Sequence, residues 1–333
     1  MTANATSRCA GHAAALYDSG EDLRRRVLPF LRAGLDAGDA TVAVVSADAA
    51  DHLIDGLGPD HRHVEWELPG VSYRSLGPMF DALRRYLAGQ HEAGRSVRLV
   101  AENDTASDPG RAAAYLRFEA ASNDVLGRYG FPWVCLYDRR RYAAHVLDQV
   151  QQVHPHLVDA DGRTTTSSGY LPPDDFLQTH PGPLSPVPPH PDVDVWVTTA
   201  EQLPTVRRTT AATARGLGLP PEDGEDFELA AAEVLSNAVR HGEQPCRVRL
   251  WGTPSHVVLR VDDQGPGDDI PTKGFRPPDP THGHLGGMGV WIVRQVADVV
   301  HVHTGPSGTA VELQFPCPQP GAARLTDAGA TWR

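Results

Sequence analysis

Positive charge is in short supply. The chain carries 30 Lys and Arg against 42 Asp and Glu, a net charge of −12 at pH 7. Nonspecific nucleic-acid binding needs a basic footprint, so the charge argues against that class. The run Arg139-Arg140-Arg141 leaves a local basic patch open, although so short a run is more often a solvated face. Cysteine is sparse as well. Cys9, Cys135, Cys246 and Cys317 show no metal-type spacing, and Cys135 and Cys246 lie in apolar or strand-like runs as small core residues. Long apolar runs are missing: none nears the roughly 18 residues of a membrane span, and Met1 to Gly20 lacks the apolar centre of a secretory signal. The expectation is a cytoplasmic protein that partners neither membrane nor nucleic acid. No Gly-x-x-x-x-Gly-Lys-Ser/Thr loop follows any expected strand, which argues against a P-loop NTPase.

With 333 residues and 40% hydrophobic content, the chain has the length of about two domains with ordinary cores. In the first half, after a short disordered lead over residues 1–10, helices are expected over Glu21 to Gly38 (kinked at Pro29), Ala49 to Leu57, Met79 to Ala93 and Arg111 to Tyr129. Between them fall short apolar, β-branched runs, Thr41 to Ser46, Val97 to Ala101 and Trp133 to Tyr137, as in buried parallel strands. That alternation predicts a doubly wound α/β domain over residues 10–160. Ligands of open α/β sheets bind beyond the carboxyl ends of the strands, here near Ser46, Glu102, Asn103, Asp104 and Asp138. His12 and Tyr17 are further pocket candidates, each with an ordinary structural role as the alternative. Residues 161–191 read as a linker, because 181–191 hold six prolines and make a stiff, extended segment. The second domain spans residues 192–316 and opens with a strand, Val193 to Val197. A helix follows from about Ala200 to Arg215, with Thr198 and Glu201 spaced as a capping box. Residues 317–333 are expected to be a disordered tail.

Within the second domain, Phe227, Ala231, Val234, Leu235 and Ala238 recur at helical steps, and Gly242 stops the helix. Glu233 and Asn237 lie one turn apart, so both lean over one groove. An amide oxygen there suits a hard cation such as magnesium, and a carboxylate suits proton abstraction. A polar stripe alone is more often a solvated face. The residues beyond the helix narrow the choice. Val257 to Asp263 reads as a strand running into the turn Asp263-Gln264-Gly265-Pro266-Gly267, and residues 268–285 as a mobile loop. Gly286-Gly287-Met288-Gly289 then opens a helix whose N–H groups suit phosphate. Val299 to Thr304 and Thr309 to Phe315 form a hairpin, with Val311, Leu313 and Phe315 alternating with Glu312 and Gln314.

The order of these pieces over roughly residues 192–316 resembles the GHKL (Bergerat-fold, HATPase_c) ATPase superfamily, and most nearly its anti-sigma-factor serine kinases. The family's Glu-x-x-x-Asn-Ala-x-x-His-Gly motif matches Glu233, Asn237, Ala238, His241 and Gly242. Its first glycine box matches Asp263, Gly265 and Gly267, its second Gly287 and Gly289, and its closing Gly-Thr Gly308 and Thr309. The resemblance implies an α/β sandwich, a mixed sheet covered by helices, that binds ATP with Mg2+. It implies Glu233 as general base, Asn237 as magnesium ligand and Asp263 as partner of the adenine amino group. His241, Gly265, Gly267, Gly287, Gly289 and Thr309 complete the nucleotide site. It further implies a sigma factor and a STAS-type antagonist as partners, serine phosphorylation of the antagonist, and a homodimer. His12, Leu16-Tyr17, Phe30 to Leu35 and Trp133 to Asp138 resemble the MEDS sensory domain, a RecA-like fold without its phosphate loop. That resemblance implies a module sensing a small molecule or other signal. Two other readings stay open. One is a non-enzymatic, ATP-gated anti-sigma binding module. The other, a sensor histidine kinase, needs a helical hairpin bearing a phospho-accepting histidine, and His180 and His190 lie in proline-rich sequence. A gyrase- or chaperone-type ATPase is disfavoured because no transducer segment follows residue 316.

Overall fold

The computed structural model describes residues 11–68, 75–265, 272–278, 288–306 and 308–317. The expectations for residues 1–10, for the tail beyond Cys317, and for Gly267 and Gly287 lie outside them. The chain divides into two compact units, one of Met1–Val71 and Ala82–Phe176, the other of Ser72–Asp81 and Leu177–Arg333. Among the described residues no helix is long and apolar enough to cross a membrane.

The elements of the first unit are β1 (His12–Tyr17), α1 (Gly20–Ala37), β2 (Ala40–Val44), α2 (Ala47–Leu57), α3 (Leu76–Glu92, which opens in the second unit), β3 (Val97–Ala101), α4 (Pro109–Val125), β4 (Trp133–Asp138), α5 (Ala144–Val153), β5 (His156–Val158), β6 (Thr164–Thr166) and the start of α6 (Pro173–Thr179). The sheet order is β2-β3-β4-β1-β5-β6. All its pairs are parallel except β5–β6. The doubly wound α/β reading is therefore right. Helix α1 starts where the Ser19 side chain accepts the Asp22 N–H, stops at Gly38 in the left-handed region (φ 73°), and contains Pro29. Ala13, Ala15 and Tyr17 share one core with Leu23, Val27 and Leu31 of α1 and Leu53 of α2. The alternation of a strand turns His12, Ala14 and Leu16 to the other side of the sheet. The central strand β1 does not stand out in the sequence, because His12 to Tyr17 holds three alanines and no β-branched residue.

The expected linker holds more structure than its composition suggests. Thr164–Thr166 pair with β5, and Pro173–Thr179 form α6. Residues 181–191 form neither helix nor strand, and they are packed. Ser185 donates its N–H and its hydroxyl (2.7 Å) to the Glu312 carboxylate, and the Gln314 amide donates to Ser185 Oγ (3.1 Å). His303 Nε2 meets the Gly182 carbonyl. The physical reason is Glu312 itself. It is fully buried, so its charge needs donors, and the linker supplies them.

The second unit continues with β7 (Val193–Val197), α7 (Leu203–Gly216), α8 (Gly224–His241), β8 (Cys246–Gly252), β9 (His256–Asp263), α9 (Met288–Val296), β10 (Val299–Gly305) and β11 (Gly308–Pro316). Its sheet runs β10-β11-β9-β8-β7. Every pair is antiparallel, so the α/β sandwich stands while the expected mixed sheet becomes an antiparallel one. Phe227, Ala231, Val234, Leu235 and Ala238 of α8 pack with Val248, Leu250, Leu259, Leu313 and Phe315 of the sheet, as their helical spacing predicts. Ahead of α7 the capping box is one residue later than expected, on Thr199 and Gln202. The amide oxygen of Gln202 also accepts the Thr198 N–H (2.7 Å). Cys317 is tied down, its N–H donating to the Ser255 carbonyl (2.8 Å).

Candidate functional site

Helix α8 positions the two groups that its four-residue spacing brings to one face. Glu233 and Asn237 are both half-buried, and the start of α9 approaches them closely. A Cβ built on Gly289 would lie 2.6 Å from Glu233 Oε2 and 3.1 Å from Asn237 Nδ2. A side chain there would have to displace them, so glycine is what lets the start of α9 come this close to the carboxylate and the amide. His241, one further turn along, is exposed as the last residue of α8.

The end of α8 also meets the turn after β9. A Cβ on Gly242 would come within 2.6 Å of Asp263 Oδ1, and one on Gly265 within 2.9 Å of the Gly242 Cα. Gln264 N–H donates to the Glu243 carbonyl (3.1 Å). Asp263 accepts the Gly265 N–H at Oδ1 (2.8 Å). Among the described residues only that oxygen is so engaged, which leaves Oδ2 as an acceptor. Burial pushes the Asp263 carboxyl above its usual range. The Gly265 N–H opposes that rise, and the nearby Asp262 and Glu243 charges add to it. Asp263 pairs with Thr309 across the β9–β11 ladder, and the buried Thr309 hydroxyl donates to the Gly265 carbonyl (3.1 Å). Gly308 precedes it at φ 117°, a conformation that side chains avoid.

Part of the loop expected to be mobile is pinned. Phe275 is buried, and the Arg294 guanidinium lies 3.9 Å from its ring centroid. Arg294 Nε donates to the Lys273 carbonyl (2.9 Å) and its Nη1 to the Val300 carbonyl (3.1 Å). Sequence reasoning misses Arg294, because an arginine on an apolar helix carries no distinguishing signal. Of the expected nucleotide set, Glu233, Asn237 and Gly289 come together, and Asp263, Gly265 and Thr309 form a second group beside Gly242. The donor set suits magnesium and a nucleotide: a carboxylate and an amide for a hard cation, and a half-buried carboxylate for a base amino group.

The first unit's strand-end polar groups satisfy one another. Tyr17 donates to Glu102 Oε1 (3.0 Å) and the Ser46 N–H to Glu102 Oε2 (2.9 Å). Arg140 holds Asp138 through Nη2 at 2.6 Å, and Arg141 holds Asp104 at 2.7 Å. His12 lies at the opposite end of β1, and its partners are Asn123, Glu119 and Cys135.

Comparison with known proteins agrees with both halves. The histidine kinase-like ATPase domain matches residues 196–315. The MEDS domain (methanogen/methylotroph, DcmR sensory domain) matches residues 11–155. A serine-protein kinase RsbW of Bacillus licheniformis is 31% identical over 127 residues, covering 34% of this chain and 77% of that protein. A second RsbW of the same species is 29% identical over 124 residues, again 34% and 77%. Among solved structures, the RsbU and RsbW domains of a Mycobacterium tuberculosis protein match at 20% identity and a TM-score of 0.27, over 39% of this chain and 34% of that one. The histidine kinase domain of the E. coli osmosensor EnvZ matches at 16% and 0.24, over 41% and 95%. The two domains define a GHKL-type ATPase domain combined with a sensory domain. More particularly, the chain belongs to the anti-sigma serine kinase family typified by RsbW.

Proposed function

We propose that this protein is a cytoplasmic, ATP-dependent serine/threonine protein kinase and anti-sigma factor. It sequesters a sigma factor, phosphorylates a STAS-type antagonist, and answers to a signal or small molecule at its first domain. The observation that carries the reading is the convergence of Glu233 and Asn237 on Gly289. Magnesium–ATP supplies the phosphoryl group and neutralises its charge when bound. Asn237 offers its amide oxygen to the cation. Glu233, free of side-chain crowding at Gly289, accepts the proton of the attacking serine hydroxyl. Asp263 accepts from the adenine amino group through the oxygen its turn leaves available. Gly265 and Gly289 let the backbone approach, Gly267 and Gly287 take the same part by motif, His241 borders the groove, and Thr309 braces the Asp263 turn. Two copies form the working unit, as the family resemblance implies.

The test is affinity capture from the source cytoplasm with and without ATP, followed by transfer of labelled phosphate to serine on a captured STAS protein. Capture of a sigma factor with serine phosphorylation supports the proposal. Sigma capture without transfer selects a non-enzymatic, ATP-gated binding module, and capture of a response regulator selects a histidine kinase.

A further inference from the structure

A second constellation lies in the first unit and shares no residue with the nucleotide groove. His12 on β1, Glu119 on α4, Cys135 on β4 and His154 just after α5 are all buried, at 1%, 5%, 3% and 0% exposure. One ligand atom from each lies within 4.8 Å of every other. His12 Nε2 is 2.7 Å from Glu119 Oε2 and 3.4 Å from Cys135 Sγ. Cys135 Sγ is 3.5 Å and His154 Nε2 3.4 Å from the same Glu119 oxygen.

The protons on the two imidazoles are placed by their outer partners. The Asn123 amide nitrogen donates to the Val153 carbonyl (2.9 Å) and the Ala120 carbonyl (3.1 Å), which fixes its flip. Its oxygen therefore accepts from His12 Nδ1 (3.1 Å), so that nitrogen carries a hydrogen. His154 Nδ1 in turn donates to the Val150 carbonyl (2.7 Å). In the neutral rings each Nε2 then keeps a lone pair, and both face the Glu119 carboxylate. Among the described residues His154 Nε2 has no hydrogen-bond partner, although it is fully buried. A proton shared between His12 and Glu119 would relieve one contact and leave the other acceptor unsatisfied, a costly state in a protein interior. A cation relieves both.

We infer that His12, Glu119, Cys135 and His154 form a closed, four-ligand site for zinc(II). The donor set of two imidazoles, a thiolate and a carboxylate is one that zinc takes. Tetrahedral bonds of about 2.0–2.3 Å place ligand atoms about 3.3–3.8 Å apart. Three of these four separations fall there, and the shorter His12–Glu119 contact is the one a cation would spread. Zinc with one thiolate, one carboxylate and two neutral imidazoles is a neutral assembly, which suits burial. The hydrogen bonds from each Nδ1 are the outer partners that orient metal-bound histidines. Binding releases the Cys135 thiol proton and the proton between His12 and Glu119 to solvent. With every position taken by protein, the site is structural or sensing rather than catalytic.

Elemental analysis of the full-length protein should find about one zinc per chain, lost on dialysis against a strong chelator. Adding cobalt(II) to the metal-free protein should give visible tetrahedral bands and a near-ultraviolet thiolate-to-cobalt band. Cys135→Ser should lose the thiolate band. Asn123→Leu, which keeps all four ligands, should weaken metal affinity by roughly 10–100-fold. The wild-type measurements need no variant to fold. Zinc below roughly a tenth per chain, with no cobalt bands in folded protein, would overturn the site and leave a shared proton as the link between His12 and Glu119. Full zinc content in both Cys135→Ser and His154→Gln would overturn it equally, by placing the metal elsewhere.

Discussion

Glu119 and Glu233 are both carboxylates on helices, one in each unit, and their surroundings differ in kind. Glu119 is 5% exposed and lies within 3.5 Å of two imidazoles and a thiol. Glu233 is half-buried, and Gly289 of α9 comes close to its carboxylate. A carboxylate enclosed by its own chain is committed to those partners and can serve structure or metal binding. A half-buried carboxylate that meets a glycine, with no side chain at that position, is available to something that arrives. Glu312 shows that enclosure, not the unit, decides. It belongs to the second unit, is fully buried, and is bound by Ser185 and Gln314.

The largest effect is expected at Glu119. Glu119→Ala removes one partner of a buried charged cluster and leaves a cavity, so thermal or urea unfolding should show a loss of about 3–5 kcal/mol. The nucleotide groove contains no part of that cluster. A loss below about 1 kcal/mol would mean that the cluster is not tightly coupled. Glu233→Gln should do the reverse. Stability should change by no more than about 0.5 kcal/mol, magnesium–ATP affinity should be kept, and phosphate transfer to a STAS serine should fall roughly 10²-fold or more. Asn237→Ala should instead lose magnesium-dependent affinity. Unchanged transfer in Glu233→Gln would remove it as the base.

The same contrast explains what could be read from the sequence. Glu233 and Asn237 are four positions apart on one helix, so helical geometry alone puts them on one face, and the glycines that frame them are punctuation visible in any sequence. The apolar face of α8, the ends of β3 and β7, and the doubly wound order of the first unit follow from periodicity. The His12 cluster does not, because its members stand at 12, 119, 135 and 154 on four different elements, and only the parallel register of β1 with β4 sets His12 beside the Cys135 strand. Cys135 is buried, as expected of a core residue, yet its neighbours are polar. Strand β1 is hidden for want of β-branched residues. The packing of Ser185 onto Glu312 spans 127 positions and has no local signature. Segment Thr272 to Pro278 looks mobile from its prolines and charges, and what holds it is Arg294, a partner from another element.

Whether the face of α8 that carries Glu233 and Asn237 holds magnesium–ATP, with Asp263 against the adenine, is best decided by calorimetric titration of the full-length chain across pH. Burial raises the folded pKa of Asp263 above the ordinary 3.8, with the Gly265 N–H opposing and Asp262 and Glu243 adding. The ionised carboxylate is the stronger acceptor, so it favours adenine above that raised value and is lost as pH falls through it. For stability the sign is opposite: the protonated form favours the fold, and that contribution fades as pH rises through the same value. A single ATP site is expected, with an affinity that weakens on acidification before ordinary carboxylates titrate. Asp263→Asn should bind about tenfold more weakly, consistent with the loss of one charge-assisted hydrogen bond, and should lack that pH dependence. Equal ATP affinity in Asp263→Asn and the parent at every pH would rule out Asp263 as the adenine partner.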